Sequence, residues 1–277
     1  MLTNESNVRT NEPAPHPEKY NMTTQRTILV TGAASGIGRM TSLLFASRGW
    51  QVAAADVNAV ALNRLAAELG DKVIPIVGDV STRDGAQAIV NAATAGTGGK
   101  LDCLFNCAGL LEMGPHVNIP HERADRLIDV NVKGVVNCID AAFSALAATP
   151  GSHIVSMSST SAEYGTPDHA IYSASKFFVR GLTEALNIEF EPHGIQVSAI
   201  LVAYVQTPMV LDASVKAASV ERLGVKVKPE DVAEIVWKAA HANRVLWRVG
   251  VDARVLNIAV RLLGSWSRSG TKMLMGY

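Results

Sequence analysis

The chain reads as a single doubly wound α/β domain, a parallel sheet with helices on both faces. Three observations predict it. Short runs rich in β-branched residues alternate with longer helical stretches, as in a parallel sheet covered on both sides. The length of 277 residues suits one large α/β domain and is short for two. Hydrophobic residues make up 48 % and charged residues 18 %, enough apolar surface for a sizeable core.

The elements follow in order. A first strand is expected over Thr27–Thr31, then a helix over Ile37–Arg48 closed by Gly49. The second strand, Gln51–Ala55, feeds a helix over Ala59–Leu69 that Gly70 ends. The third strand, Val73–Val77, precedes a helix over Arg83–Ala95, and Gly98-Gly99 separates that helix from the apolar strand Leu101–Asn106. A long helix over Glu122–Ala148 stops before Pro150-Gly151, and the strand His153–Met157 leads to a helix over Ala170–Glu191. Gln196–Leu201 is the sixth strand. Met209 to Lys228 then breaks the alternation, and an insertion near the strand carboxyl ends is where a substrate lid belongs. A helix over Glu230–Ala240 and a strand over Val245–Val249 complete the pattern.

Neither an internal repeat nor a second core is visible, so residues 27–277 read as one domain. Residues 1–26 are polar, carry Pro13, Pro15 and Pro17 and lack an apolar h-region; they read as a disordered leader, with Met22 a candidate native start. The apolar segment Val255 to Trp266, with Arg261 inside it, reads as a packed C-terminal helix in preference to one lying on a membrane surface. No run of about 18 apolar residues marks a transmembrane helix. With no secretory signal, the expected location is the cytoplasm.

Lys plus Arg equal Asp plus Glu at 25 each, which argues against nucleic acid as the main partner. The three cysteines, Cys103, Cys107 and Cys138, are too few for a disulfide scaffold or a zinc site. On a strand, Cys103 and Cys107 would stand ~13 Å apart at ~3.3 Å per residue, too far for a bridge. They read as buried core thiols in a reducing compartment, with no metal.

Thr31-Gly32-Ala33-Ala34-Ser35-Gly36-Ile37-Gly38 follows the first strand and opens the first helix. Its glycines allow a tight turn, close approach to a pyrophosphate and close helix packing, while free N–H groups and the helix dipole hold negative charge. Asp56, 18 residues past Gly38 at the end of the second strand, is placed to accept hydrogen bonds from both ribose hydroxyls of an adenosine. It also stands where it can cap the next helix. The reading is a Rossmann-type dinucleotide site. Further along, Tyr172-Ser173-Ala174-Ser175-Lys176 puts a phenol and an ammonium on one helix face. A free phenol titrates near pH ~10, and a cation one turn away is expected to lower that value toward a working acid/base. Ser158-Ser159 ends an apolar strand, with Ser159 13 residues before Tyr172. A strand-end hydroxyl and a helix-borne phenol can together grip one carbonyl oxygen.

The glycine spacing T-G-x-x-x-G-x-G, the Ser-to-Tyr spacing and Y-x-x-x-K resemble the short, single-domain branch of the short-chain dehydrogenase/reductase family, from about Thr27 to Thr207 and plausibly beyond. The resemblance implies roles. Ser159 polarises the substrate oxygen, Tyr172 takes or gives the proton, and Lys176 lowers the Tyr172 pKa and binds the nicotinamide ribose. Asn131, in Asn131-Val132-Lys133-Gly134, holds a water in the proton relay. Gly32, Ser35, Gly36, Ile37 and Gly38 cradle the cofactor phosphates. Asp79 and Val80 match the adenine-contacting pair. Asn106, Ala108 and Gly109 match the family's N-N-A-G, with Cys107 in place of the second Asn. Val205, Thr207 and Pro208 match the segment that touches the nicotinamide. There the family's Pro-Gly is replaced by Val202-Ala203, and Ala203 would be strained if that position needs a positive φ.

The implied reaction is hydride transfer between a nicotinamide dinucleotide and a small-molecule alcohol or carbonyl. NAD is expected rather than NADP, because neither Ser35 nor Val57 supplies the cation that the family's NADP users carry there, and Arg39 points along the first helix. Expected pocket walls are Leu110, Leu111 and Met113, then Ser161, Glu163 and Tyr164, then Met209, Val210 and Leu211. Their apolar majority suits a hydrophobic secondary alcohol or ketone. Glu163 is either an orienting acid or a solvated loop charge; His169, three residues before Tyr172, is within reach of the pocket mouth but is expected at the surface or as a helix cap. The family also implies a homodimer or homotetramer built on the helices over Glu122–Ala148 and Ala170–Glu191. Two rivals are weaker: a sugar-nucleotide epimerase or dehydratase has a different glycine gap, and a non-catalytic dinucleotide-binding regulator usually loses the Tyr or the Lys.

Overall fold

The computed structural model describes residues 25–250 together with 268, 269 and 272. The proposed C-terminal helix over Val255 to Trp266 and most of the polar leader lie outside the described residues. Seven strands form one sheet: β1 (Thr27–Thr31), β2 (Gln51–Asp56), β3 (Val73–Val77), β4 (Cys103–Asn106), β5 (His153–Met157), β6 (Gln196–Leu201) and β7 (Leu246–Arg248). Their order is β3-β2-β1-β4-β5-β6-β7, and every neighbouring pair is parallel. From β1 the chain winds outward through β2 and β3, then returns to place β4 on the other side of β1. That reversal opens a crevice at the strand carboxyl ends, where α/β sheets of this kind bind ligands.

The helices α1 (Gly36–Ser47), α2 (Ala59–Leu69), α3 (Arg83–Thr94), α4 (His121–Ile128), α5 (Gly134–Ala147) and α6 (Ala170–Glu189) cover the sheet with α9 (Pro229–Ala239). Two shorter ones, α7 (Pro208–Leu211) and α8 (Ala218–Leu223), occupy the irregular insertion. Side chains alternate across each strand. Ile28 and Val30 of β1 accordingly join Phe45 of α1 and Val236 of α9 on one face. Leu29 joins Ile89 of α3, Ile139 of α5 and Val179 of α6 on the other. Burial of each such side chain contributes about 1.5–3 kcal/mol. A third cluster, Met113, Val210, Ala217 and Val220, packs under the insertion and holds it over the crevice.

The single helix expected over Glu122–Ala148 is three pieces. A π-helical segment, Asp129–Lys133, joins α4 to α5, and such bulges recur at functional sites. The run His121–Ala147 is long and apolar enough to cross a membrane by length and composition, yet α5 packs on α3, β4 and β5 as a core helix.

Candidate active site

A cavity of about 380 Å³ opens at the carboxyl ends of the strands, running from the glycine turn to the insertion. Gly32 adopts φ +66°, and a Cβ there would stand 2.8 Å from the Ala108 Cα. At Gly38 a Cβ would meet the Gly32 carbonyl oxygen at 2.1 Å. Ser35, Gly36 and Ile37 line the cavity where α1 begins. The Ser35 side chain makes no capping bond, and the first turn of α1 holds no acid. A helix start of this kind, open and without a competing carboxylate, suits a pyrophosphate. Gly38 does not line the cavity; it lets helix and turn approach from behind.

Asp56 lines the cavity at the end of β2. Its carboxylate accepts from the Ala34 N–H at 3.0 Å and the Asn58 N–H at 2.9 Å. The cap of α2 is Asn58, which accepts from Ala61 at 3.0 Å, so Asp56 is not the capping residue. Asp79 and Val80 line the next stretch. Burial alone would raise the Asp79 pKa, but bonds from Ser81 and Arg126 outweigh it and hold the carboxyl below its ordinary range. Arg126, absent from the sequence reading, reaches Asp79 at 2.9 Å and Ser81 at 2.8 Å and itself lines the cavity. Beyond β4 the Thr31 hydroxyl accepts from the N–H groups of Cys107 and Ala108 at 3.1 and 3.2 Å, fixing the loop despite the missing second Asn. Ala108 and Gly109 line the cavity, but Asn106 does not. Asn106 is buried and donates to the Ser156 hydroxyl at 3.2 Å, so it braces neighbouring strands. Cys107, expected in the core, is a partly buried wall of the cavity. Burial pushes its thiol up to about 12, leaving it inert as a nucleophile.

The chemistry-bearing side chains converge. Tyr172 and Ser159 both line the cavity, and the Ser159 hydroxyl is near enough to the phenol to favour its charged form. Ser159 accepts from the Ser161 N–H at 3.1 Å. Ser158 instead donates to the Lys176 carbonyl at 3.0 Å, a buried bond that anchors α6 to β5. The Lys176 ammonium donates to the Met157 carbonyl at 2.9 Å and stands 5.5 Å from the Tyr172 ring centroid. Asn131, in the π segment, joins the Leu110 N–H at 2.7 Å, the Leu110 carbonyl at 2.9 Å and Ser175 at 3.2 Å. It stitches the loop after β4 to α6. One expectation reverses: burial pushes the Tyr172 phenol up to about 12, and the Ser159 hydroxyl only partly offsets it. Burial likewise brings Lys176 down to about 8. In both cases burial disfavours the charged form because little water reaches the group; Tyr172 stays neutral, while Lys176 remains largely protonated at neutral pH.

Leu110, Leu111, Ser161, Tyr164, Met209 and Val210 line the substrate end as expected. Met113 lies in the core under the insertion, and Leu211 faces away. Glu163 is neither an orienting acid nor solvated. Its carboxylate is buried between Arg180 at 2.6 Å and Arg248 at 2.8 Å, and it fixes the loop after Ser159. His169 is not at the surface: it is 2 % exposed and lines the cavity. Tyr204, which no sequence motif marked, lines it as well. Val205 and Thr207 complete the wall. Ala203 carries no strain, since Asp168 is the only non-glycine with positive φ among the described residues.

A family model described as short chain dehydrogenase matches residues 26–217. The 3-oxoacyl-acyl-carrier-protein reductase of Thermotoga maritima is 35 % identical over 215 residues, 75 % of this chain and 87 % of that one. A cyclohexanol dehydrogenase of an Acinetobacter species is 32 % identical over 226 residues, 79 % of this chain and 87 % of that one. Among solved structures, a short chain dehydrogenase/reductase from Burkholderia phymatum in complex with NAD superposes with a TM-score of 0.76 at 27 % identity. That match covers 86 % of this chain and 95 % of the other.

Proposed function

Since the chain belongs to the short-chain dehydrogenase/reductase family of nicotinamide-dependent oxidoreductases, we propose that it interconverts a hydrophobic secondary alcohol and its ketone. The observation that carries this reading is the convergence of Tyr172, Ser159 and Lys176 on one cavity, with Leu110, Leu111, Met209 and Val210 in its wall, that continues to the glycine turn. The similarity to a cyclohexanol dehydrogenase agrees with it. When bound, the dinucleotide supplies or takes up the hydride. The start of α1 would hold its pyrophosphate, Asp56 its adenosine ribose and Lys176 its nicotinamide ribose. Ser159 donates to the substrate oxygen and fixes it beside Tyr172. Tyr172 delivers a proton to that oxygen during reduction and removes it during oxidation; held as a neutral phenol, it is ready to act as the acid. Leu110, Met209 and Val210 keep water from the reacting carbon.

NAD is the preferred carrier in this reading. Ser35 and Val57 line the cavity beside Asp56 and neither is basic. Arg39 is paired with Glu68, and Arg126 with Asp79. The chain also forms a homo-oligomer, which covers the exposed apolar side chains Phe177, Phe178 and Ile188 of α6. A screen of secondary alcohols with NAD, followed at the reduced-nicotinamide absorbance, tests the activity. Turnover of mid-sized apolar alcohols is expected, and failure across the whole set of alcohols and ketones overturns the reading.

A further inference from the structure

His169 and Tyr204 line the cavity with Tyr172, and Ser161, Tyr164 and Thr166 add further polar groups to its wall. His169 occupies the N-cap position of α6 but makes no capping bond with its side chain. Its Nδ1 lies 3.2 Å from the Pro167 carbonyl oxygen. A carbonyl only accepts, so Nδ1 carries the hydrogen and the neutral ring keeps Nε2 as a bare acceptor. Burial lowers the His169 pKa and favours that neutral form. The Tyr204 hydroxyl is 2.7 Å from the Ser219 hydroxyl of α8 and 3.4 Å from His169 Nε2. The first contact is a good hydrogen bond; the second is long for an O–H to nitrogen bond and leaves the Nε2 lone pair underused.

The two rings are placed by packing. His169 meets Tyr172 edge-on at 6.2 Å between centroids and Tyr204 at 6.0 Å. Ser219, 1 % exposed, fixes the far side of Tyr204 from the insertion. An acceptor and a hydroxyl therefore belong to two rings packed in series on the Tyr172 ring. A substrate hydroxyl matches this pair, because it donates to Nε2 and accepts from Tyr204. A carbonyl has no proton for Nε2, and a carboxylate, which only accepts, would set lone pair against lone pair there.

We propose that His169 and Tyr204 form a second oxygen-recognition site, and that the substrate is a hydrophobic alcohol bearing a second hydroxyl on the carbon next to the reacting one. The class is vicinal diols and the matching hydroxyketones, and the inference rests on the alcohol–ketone reading above. In the oxidation the carbinol C–H bond breaks, the hydride passes to NAD and the hydroxyl proton leaves through Tyr172. The second hydroxyl is unchanged and serves recognition only.

The test compares cyclohexane-1,2-diol with cyclohexanol in two readouts: kcat/KM with NAD, and affinity for the protein–NADH complex followed by nicotinamide fluorescence. The diol is expected to be favoured at least tenfold in both. His169→Leu and Tyr204→Phe should each bring the ratio to within about twofold of one, and His169→Gln, which keeps an acceptor, should restore part of it. Tyr204→Phe removes a single oxygen and serves if His169→Leu fails to fold. Turnover of cyclohexanol without diol preference overturns this inference and leaves the alcohol reading standing. A diol preference that survives both variants also overturns it. Tighter diol binding that both variants abolish, without turnover of either compound, supports the recognition site while counting against the alcohol reading. No turnover and no tighter diol binding overturn both.

Discussion

Replacing Tyr172 by phenylalanine removes one oxygen and keeps the ring, so its contacts with His169 and Lys176 remain available. Ser159 loses the nearby phenol oxygen but keeps the Ser161 N–H at 3.1 Å and the Val202 carbonyl at 3.4 Å. With no buried polar group stranded, folding stability should change by less than about 1 kcal/mol. The proton transfer is lost outright, and a positioned acid/base contributes about 10²–10⁴-fold, or ~3–5 kcal/mol of barrier. Ser159 and Lys176 stay, so polarisation and cofactor binding persist. Single-turnover kinetics with the best substrate of the screen should show kcat reduced at least ~10²-fold. Titration with NADH should give a Kd within about threefold of the unmutated protein. A variant that keeps more than about a tenth of kcat, a loss under ~1.4 kcal/mol, refutes Tyr172 as the acid/base.

Three further outcomes are expected. kcat/KM with NAD should exceed that with NADP by at least about tenfold, ~1.4 kcal/mol, and Asp56→Ala with Val57→Arg should narrow or reverse the ratio; equal use by the unmutated protein refutes the role of Asp56. Glu163→Gln leaves Arg248 facing an uncharged group inside the fold while Arg180 keeps Glu184 at 3.0 Å, which should cost about 3 kcal/mol and lower Tm by roughly 6–12 °C; a loss under about 1 kcal/mol by denaturant titration contradicts the buried ion-pair reading. Lys176 has a folded pKa of about 8 against an ordinary value of 10.5. The unfolded chain therefore binds more protons between those values, and the Lys176 contribution raises stability with pH across that window by up to ~3 kcal/mol. Lys176→Met should flatten that rise in denaturation curves taken at successive pH values, and an unchanged slope rules it out.

Much of this protein is written locally in its sequence. The strand β1, the glycine turn and Asp56 are legible because a period of two, a tight turn and a strand end each depend on a few neighbouring residues. The four-residue step from Tyr172 to Lys176 is a property of the helix itself. Other features were settled by contacts distant in sequence. Asp79 meets Arg126 across 47 residues, His169 meets Tyr204 across 35, and Glu163 meets Arg248 across 85. No periodicity encodes such pairs; the sheet order and the seating of the insertion create them. Thus Glu163 and His169, loop residues by sequence, became a buried ion-pair centre and a cavity wall. The tertiary structure also decided the sign of the Tyr172 shift. Spacing on one helix put a cation near the phenol and predicted a lowered pKa. Desolvation depends on everything packed around the group, and here it raises Tyr172 to about 12 and brings Lys176 to about 8.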